Sequence, residues 1–214
     1  MSGIWILLLL ISAAALPAII VFFWFRVRNS AITLPWFLVF FAAGIISLFI
    51  AALIQSFFPA GRAGQERLGP LFFSVFVRIA LAEEASRLIT LIPLLKTGSR
   101  RLNSDKTLGP ALGLVAGLGF AALESAFYGM ADINITLLRA FTAAPLHGAC
   151  GIRVGAAVSI AGERPARAFF LFISSVLLHG TYNLIIVSPP IPSVLAILVA
   201  LAALFASLPH VEKF

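Results

Sequence analysis

Residues 71–95 read LFFSVFVRIALAEEASRLITLIPLL, an apolar stretch with two adjacent carboxylates near its midpoint. About 20 apolar residues carry a helix across the hydrocarbon of a bilayer, so this stretch is long enough to span one. A carboxylate placed there has lost its hydration, and even the mildest insertion scales charge about 2.5 to 3.5 kcal/mol for an ionisable group at a helix centre. Glu83 and Glu84 are therefore read as functional residues of a membrane helix.

The rest of the chain agrees that its solvent is lipid: 61% of residues are hydrophobic, 11% are charged and the mean hydropathy is +1.09. An average soluble domain has about 25% charged residues. Seven apolar stretches are long enough to be spans, at residues 4–25, 34–58, 71–95, 108–130, 139–161, 168–187 and 193–208. The expected fold is all-α, a polytopic membrane helix bundle of about seven transmembrane helices. Short connections leave no room for a separate soluble domain. Residues 1–214 are thus read as a single integral membrane domain with a catalytic-type core over about 70–187. The first stretch follows no basic residue and exceeds the length of a signal-peptide core, so it is expected to be retained as a span.

A formal charge of +7 would suggest nucleic acid in a soluble protein, but here the basic residues sort by loop. Arg26, Arg28, Lys96, Arg100, Arg101, Lys106, Arg164, Arg167 and Lys213 fall on one side of a seven-span path, against Arg62, Arg67 and Arg139 on the other. The positive-inside rule then puts the N-terminus outside and the C-terminus in the cytoplasm, as a multi-pass protein of the cell (cytoplasmic) membrane. The charge is read as topology, with the lipid bilayer as partner and no nucleic acid. Cys150 is the only cysteine, which excludes an internal disulfide and a thiolate metal cluster. Asn134-Ile135-Thr136 has the form of a glycosylation sequon in an expected external loop, and Ser188-Pro189-Pro190-Ile191-Pro192 is expected to be a turn that ends the sixth span.

Ionisable residues gather in the third to sixth spans: Arg78, Glu83, Glu84, Arg87, Glu124, His147, Arg153 and His179. On one helix Glu83 and Glu84 point about 100° apart, with Arg87 one turn on from both. One carboxylate can pair with Arg87 while the other faces a polar cavity as a general base; alternatively the cluster only fixes helix packing. Gly109, Gly113 and Gly117 form a small-residue ridge that admits a close neighbour, and whole turns bring Phe120 and Glu124 onto nearly the same inward face. Small residues flank His147 in the run Pro145 to Gly151. His179, Asn183 and Ser175 share a polar stripe by i, i+4 spacing. Such groups can hold and deprotonate a water and steady an oxyanion with the Asn183 amide. They can equally ligate a divalent metal such as zinc, and spacing leaves both open. No HExxH pattern occurs. A proton-coupled membrane transporter is the rival from another class, since Glu and His chains also relay protons. A haem between His147 and His179 is a third reading, but it leaves the glutamates without a purpose.

Four motifs in order resemble the PrsW family of intramembrane proteases, which is grouped with the CAAX prenyl protease and bacteriocin-processing (CPBP) proteins. Glu83-Glu84-Ala85-Ser86-Arg87 resembles that family's EExxK, with Arg87 where Lys is usual. Residues 117–124, GLGFAALE, resemble its GxGFxxxE. Pro145-Leu146-His147 resembles its third motif, and residues 178–183, LHGTYN, its LHGxYN. The resemblance implies a multi-helix enzyme that cleaves a peptide bond of a membrane-anchored protein or peptide, as a glutamic-type or a metal-dependent protease. By it Glu83 is the general base and Glu84 with Arg87 its electrostatic support. Glu124, His147 and His179 would position a water or a metal, and Asn183 would serve the oxyanion. A non-catalytic member of the same family is the alternative. Arg78 and Arg153 lie outside the motifs, and each either snorkels to an interface or pairs with a glutamate.

Overall fold

A backbone in hydrocarbon has no water to bond, so the helix, which satisfies its amides within one segment, is the form expected of it. The computed structural model describes residues 3–28, 32–58, 68–97, 107–130, 132–188, 192 and 194–211, and every element in them is a helix. Helices α1 (Gly3–Ala14) and α2 (Leu16–Val27) meet at a 41° bend. Pro17 stands in the first turn of α2, where its missing N–H does not continue the ladder of α1. Next come α3 (Leu34–Ser56) and α4 (Leu68–Phe72), which runs into a π-helical stretch, Phe73–Leu81, and on into α5 (Ala82–Thr97). Then follow α6 (Leu108–Gly129), α7 (Ile133–Phe141), α8 (Ala143–Ile160), α9 (Pro165–Val187) and α10 (Val194–Ser207), with a 3₁₀ turn, Leu208–His210.

Helix α6 is the axis of the bundle and is buried along most of its length. Glycines set how closely its neighbours approach. A methyl group added at Gly113 would lie 2.1 Å from the Gly151 carbonyl oxygen of α8, and one at Gly117 would lie 2.1 Å from that of His147. The expected small-residue ridge is thus one side of a seam whose other side is Gly148, Gly151 and Gly155. On its opposite flank α6 meets α3, where a methyl group at Gly119 would lie 2.1 Å from the Phe41 carbonyl oxygen. Backbone contact of this kind lets helices associate where apolar side chains gain nothing by leaving lipid. The outer faces carry large exposed apolar side chains instead, such as Phe23 on α2, Leu53 on α3, Phe170 on α9 and Phe205 on α10. In water such a surface would be an aggregation hazard; in a bilayer it is the solvated face.

Three helices are long and apolar enough to cross a membrane unaided, Leu34–Ser56, Leu108–Gly129 and Pro165–Val187, and the bent α1–α2 pair makes a fourth if it is one span. Two expectations need correction. The stretch 139–161 is not one helix: α7 ends at Phe141, α8 begins at Ala143, and Arg139 belongs to α7. The sequon is not in a loop, since Asp132 caps α7 by accepting from the Asn134 N–H at 2.9 Å, and Thr136 is fully buried, donating to the Ser125 carbonyl. Arg62, Arg67, Arg100, Arg101, Lys106, Lys213 and the prolines Pro189 and Pro190 lie outside the described residues.

Candidate active site

The π-helical stretch delivers the chain into α5, whose first turn carries Glu83 and Glu84 and whose second carries Arg87, all three buried. Phe76 of that stretch lies against α9 at Gly180, where an added methyl group would meet its ring at 2.2 Å. The glycine after His179 therefore lets the two segments close on each other. From the other side α6 supplies Phe120 and Glu124, and α8 supplies His147.

One half of the cluster is closely paired, with only the buried Arg87 Nε left without a hydrogen bond among its described residues. Arg87, wholly buried, forms an ion pair with Glu84 Oε2, donates to His147 Nδ1 at 3.2 Å and lies 4.9 Å from the Phe120 ring centroid. Glu124 Oε2 takes Arg139 Nη2 at 2.5 Å and His147 Nε2 at 2.9 Å. Arg139 also donates to Ser125 Oγ at 3.3 Å and stacks over Tyr128. An arginine can only donate, so its contact assigns His147 Nδ1 as acceptor and Nε2 as the protonated nitrogen that donates to Glu124.

The other half is open. His179 Nδ1 lies 2.8 Å from Glu84 Oε1, a carboxylate oxygen that can only accept, which assigns a proton to Nδ1 and, in the neutral ring, leaves Nε2 as a lone pair. That lone pair faces Glu83 Oε2 at 3.5 Å. Glu83 Oε1 accepts from Gln55 Nε2 at 3.3 Å, but Oε2 has no hydrogen-bond partner. An imidazole lone pair and a carboxylate oxygen face to face repel unless a proton or a cation lies between them. The two imidazole rings stand 4.9 Å apart, edge to face.

Donor atoms of Glu83, His147 and His179 lie within 4.8 Å of one another, and all three residues are buried. One carboxylate and two imidazoles make a zinc-type ligand set. Each ring also has its other nitrogen on a carboxylate, Glu84 for His179 and Glu124 for His147, the outer arrangement that orients metal-bound histidines. Glu83 Oε2 and His179 Nε2 are free to ligate as they stand, whereas His147 Nδ1 would have to exchange its Arg87 contact. The residues therefore fit such an ion, with Glu83 rather than the expected Glu124 as the carboxylate of the set.

All the sequence-named site residues except Asn183 meet in this cluster. Asn183 is half-buried one turn beyond His179, and its amide makes no hydrogen bond among the described residues. Two participants escaped the sequence reading. Gln55, an amide in the last turns of an apolar helix, reads as interfacial, and Arg139 reads as a loop cation; only packing reveals their carboxylate partners. No curated protein and no solved structure matches the chain. The family model described as PrsW family intramembrane metalloprotease matches residues 33–208, a stretch that contains every member of this cluster, and the chain belongs to that family.

Proposed function

We propose that the protein is an intramembrane endopeptidase that hydrolyses a peptide bond of a membrane-anchored protein or peptide, with Glu83 as the general base toward water. The observation that carries this reading is the unpartnered Glu83 Oε2 facing the His179 Nε2 lone pair at 3.5 Å. Gln55 fixes the other Glu83 oxygen and so aims Oε2 at the point where a water would lie. Glu83 takes a proton from that water as its oxygen attacks the scissile carbonyl, and the proton passes to the leaving amine. Glu84 holds the His179 ring so that Nε2 faces the same point, and Arg87 offsets the Glu84 charge. Glu124 and Arg139 do the same for His147. The free Asn183 amide is the donor for the carbonyl oxygen as it becomes an anion. In the metal-dependent alternative Glu83, His147 and His179 would hold a divalent ion of zinc type, which would polarise the carbonyl and lower the pKa of the attacking water, and Glu83 Oε2 would then be a ligand and not the base.

The proposed topology is seven crossings within one membrane domain of residues 1–214, its catalytic-type core over about 70–187, in the cytoplasmic membrane. The bent α1–α2 pair, α3, the α4–α5 run, α6, α7–α8, α9 and α10 would each cross, with the N-terminus outside. Convergence of three glutamates on one imidazole pair supports hydrolysis over a transporter, whose proton path needs such groups strung across the bilayer.

Cleavage of a membrane-tethered substrate by the purified protein in vesicles tests the reading. Glu83→Gln and His179→Ala should each abolish product while the protein unfolds at its usual temperature. Undiminished turnover by Glu83→Gln would remove Glu83 from the mechanism. Elemental analysis of the active protein separates the two chemistries, for stoichiometric zinc supports the metal and its absence from active enzyme supports the glutamic route.

A further inference from the structure

Outside this cluster the chain carries a second guanidinium site of a different kind. Arg153 of α8, half-buried, opens onto a groove of about 530 Å³ between α9 and α10. Arg87 and Arg139 each hold a carboxylate, but the partners of Arg153 are two neutral hydroxyls: Nε donates to Ser207 Oγ at 3.0 Å and Nη1 to Ser174 Oγ at 2.8 Å. Both serines give their own hydrogens to helix carbonyls, of Ala203 and Leu171, so each can receive the arginine. Nη2 makes no hydrogen bond among the described residues, and no acidic residue lines the groove. The guanidinium is thus held rigidly in place with its positive charge uncompensated, an expensive state at membrane depth.

The groove is polar at the Arg153 end and apolar along its middle, with Thr181 at the far end. Its α9 wall runs from Ser174 past Leu177 and Leu178 to Thr181, and its α10 wall runs antiparallel from Ala206 past Ala202 to Val199. The two ends are about 10 Å apart at 1.5 Å per residue. Arg153 stands at the end toward Arg164 and Arg167, the basic residues where α9 begins. A basic pocket between spans near a basic face receives lipid headgroups, and an apolar channel beside it receives an acyl chain.

We propose that the α9–α10 groove binds an anionic phospholipid, its phosphate on the Arg153 guanidinium and an acyl chain along Leu177, Leu178 and Val199. The site depends on the membrane placement of the helices and not on peptide hydrolysis. Its test involves no cleavage, so the two readings fail separately.

The full chain is reconstituted in vesicles of equal parts phosphatidylcholine and phosphatidylglycerol, extracted in mild detergent, and its retained lipids are weighed by mass spectrometry. Wild type should retain phosphatidylglycerol over phosphatidylcholine by about fivefold, the ratio expected of one basic group near an anionic lipid. Arg153→Gln should bring that ratio to parity. Ala202→Phe, which fills the groove from its exposed wall and keeps the Arg153 charge in the chain, should lower retention of phosphatidylglycerol and decides the matter if Arg153→Gln fails to fold. Parity in wild type, or wild-type enrichment in either folded variant, overturns the proposal. Protection from thermal unfolding by inorganic phosphate equal to that by phosphatidylglycerol overturns it in favour of a bare anion site, and a peptide retained in place of lipid overturns it in favour of polypeptide.

Discussion

Two halves of one buried cluster differ in how much of their bonding is used. Along Glu84, Arg87, His147, Glu124 and Arg139, each group meets one of opposite charge or complementary hydrogen bonding. At Glu83 and His179 a carboxylate oxygen and a ring nitrogen are left facing each other. Burial does not account for the difference, since Glu124 and Arg139 of the paired half are more exposed than Glu83 and His179; the pairing of facing atoms does. A network paired this closely, with only Arg87 Nε unbonded, fixes geometry and loses stability when a charged member is removed. With the His179 ring neutral, the open pair keeps two acceptors without donors at a defined spacing, which is the requirement for taking a proton or a cation. Adjacent glutamates, indistinguishable in composition, thus stand in different surroundings because Arg87 reaches only one of them in a close ion pair.

Breaking the paired half at its ion pair should have the largest effect. Arg87→Met leaves Glu84 as a buried, uncompensated carboxylate, and removal of one partner from such a pair costs about 3 to 5 kcal/mol. Thermal or denaturant unfolding in detergent should show that loss, while Glu83→Gln should leave stability within about 0.5 kcal/mol; equal destabilisation by both would erase the distinction. A smaller change is expected at Glu124→Gln, which weakens the orientation of His147 without touching the open pair. If a metal is held, its affinity should fall about 10- to 100-fold, read by competition with a chelator, with the fold retained. The mildest test is Gln55→Ala. Loss of this one long hydrogen bond from a neutral amide to the Glu83 carboxylate, worth about 1.5 kcal/mol, should lower kcat/KM about tenfold and leave the fold intact. A loss as deep as that of Glu83→Gln would promote Gln55 from aiming the base to sharing its chemistry.

Much of this was legible in the chain because lipid punishes ionisable groups so heavily. Glu83, Glu84, Arg87, Glu124, His147 and His179 stand out from apolar runs, and all are in the cluster. The glycines at 109, 113 and 117 announced a close helix contact, and the seam with α8 is that contact. Hydropathy is silent on where an apolar run bends. The break between α1 and α2, the break at Thr142 and the π-helical stretch all lie inside continuous apolar sequence. Partner choice was also hidden. Gln55 lies 28 positions from Glu83, and Arg139 lies 15 from Glu124 across the turn into α7, so each meeting is a product of packing rather than of spacing on one helix. Arg153 was expected to snorkel or to find a glutamate, and it found two serines instead.

The π-helical Phe73–Leu81 stretch has a consequence for how the chain tolerates changes in length. Each i→i+5 turn encloses one residue more than an α-turn, so the segment carries slack. Deleting a single residue there can be absorbed by reversion to ordinary winding, with Glu83 and Glu84 still presented to His179. The same deletion in α6 has no such reserve: it would swing Glu124 about 100° away from His147 and drive a side chain into the glycine seam. Insertions and deletions among related chains should therefore collect ahead of the glutamate pair and be missing from the central helix.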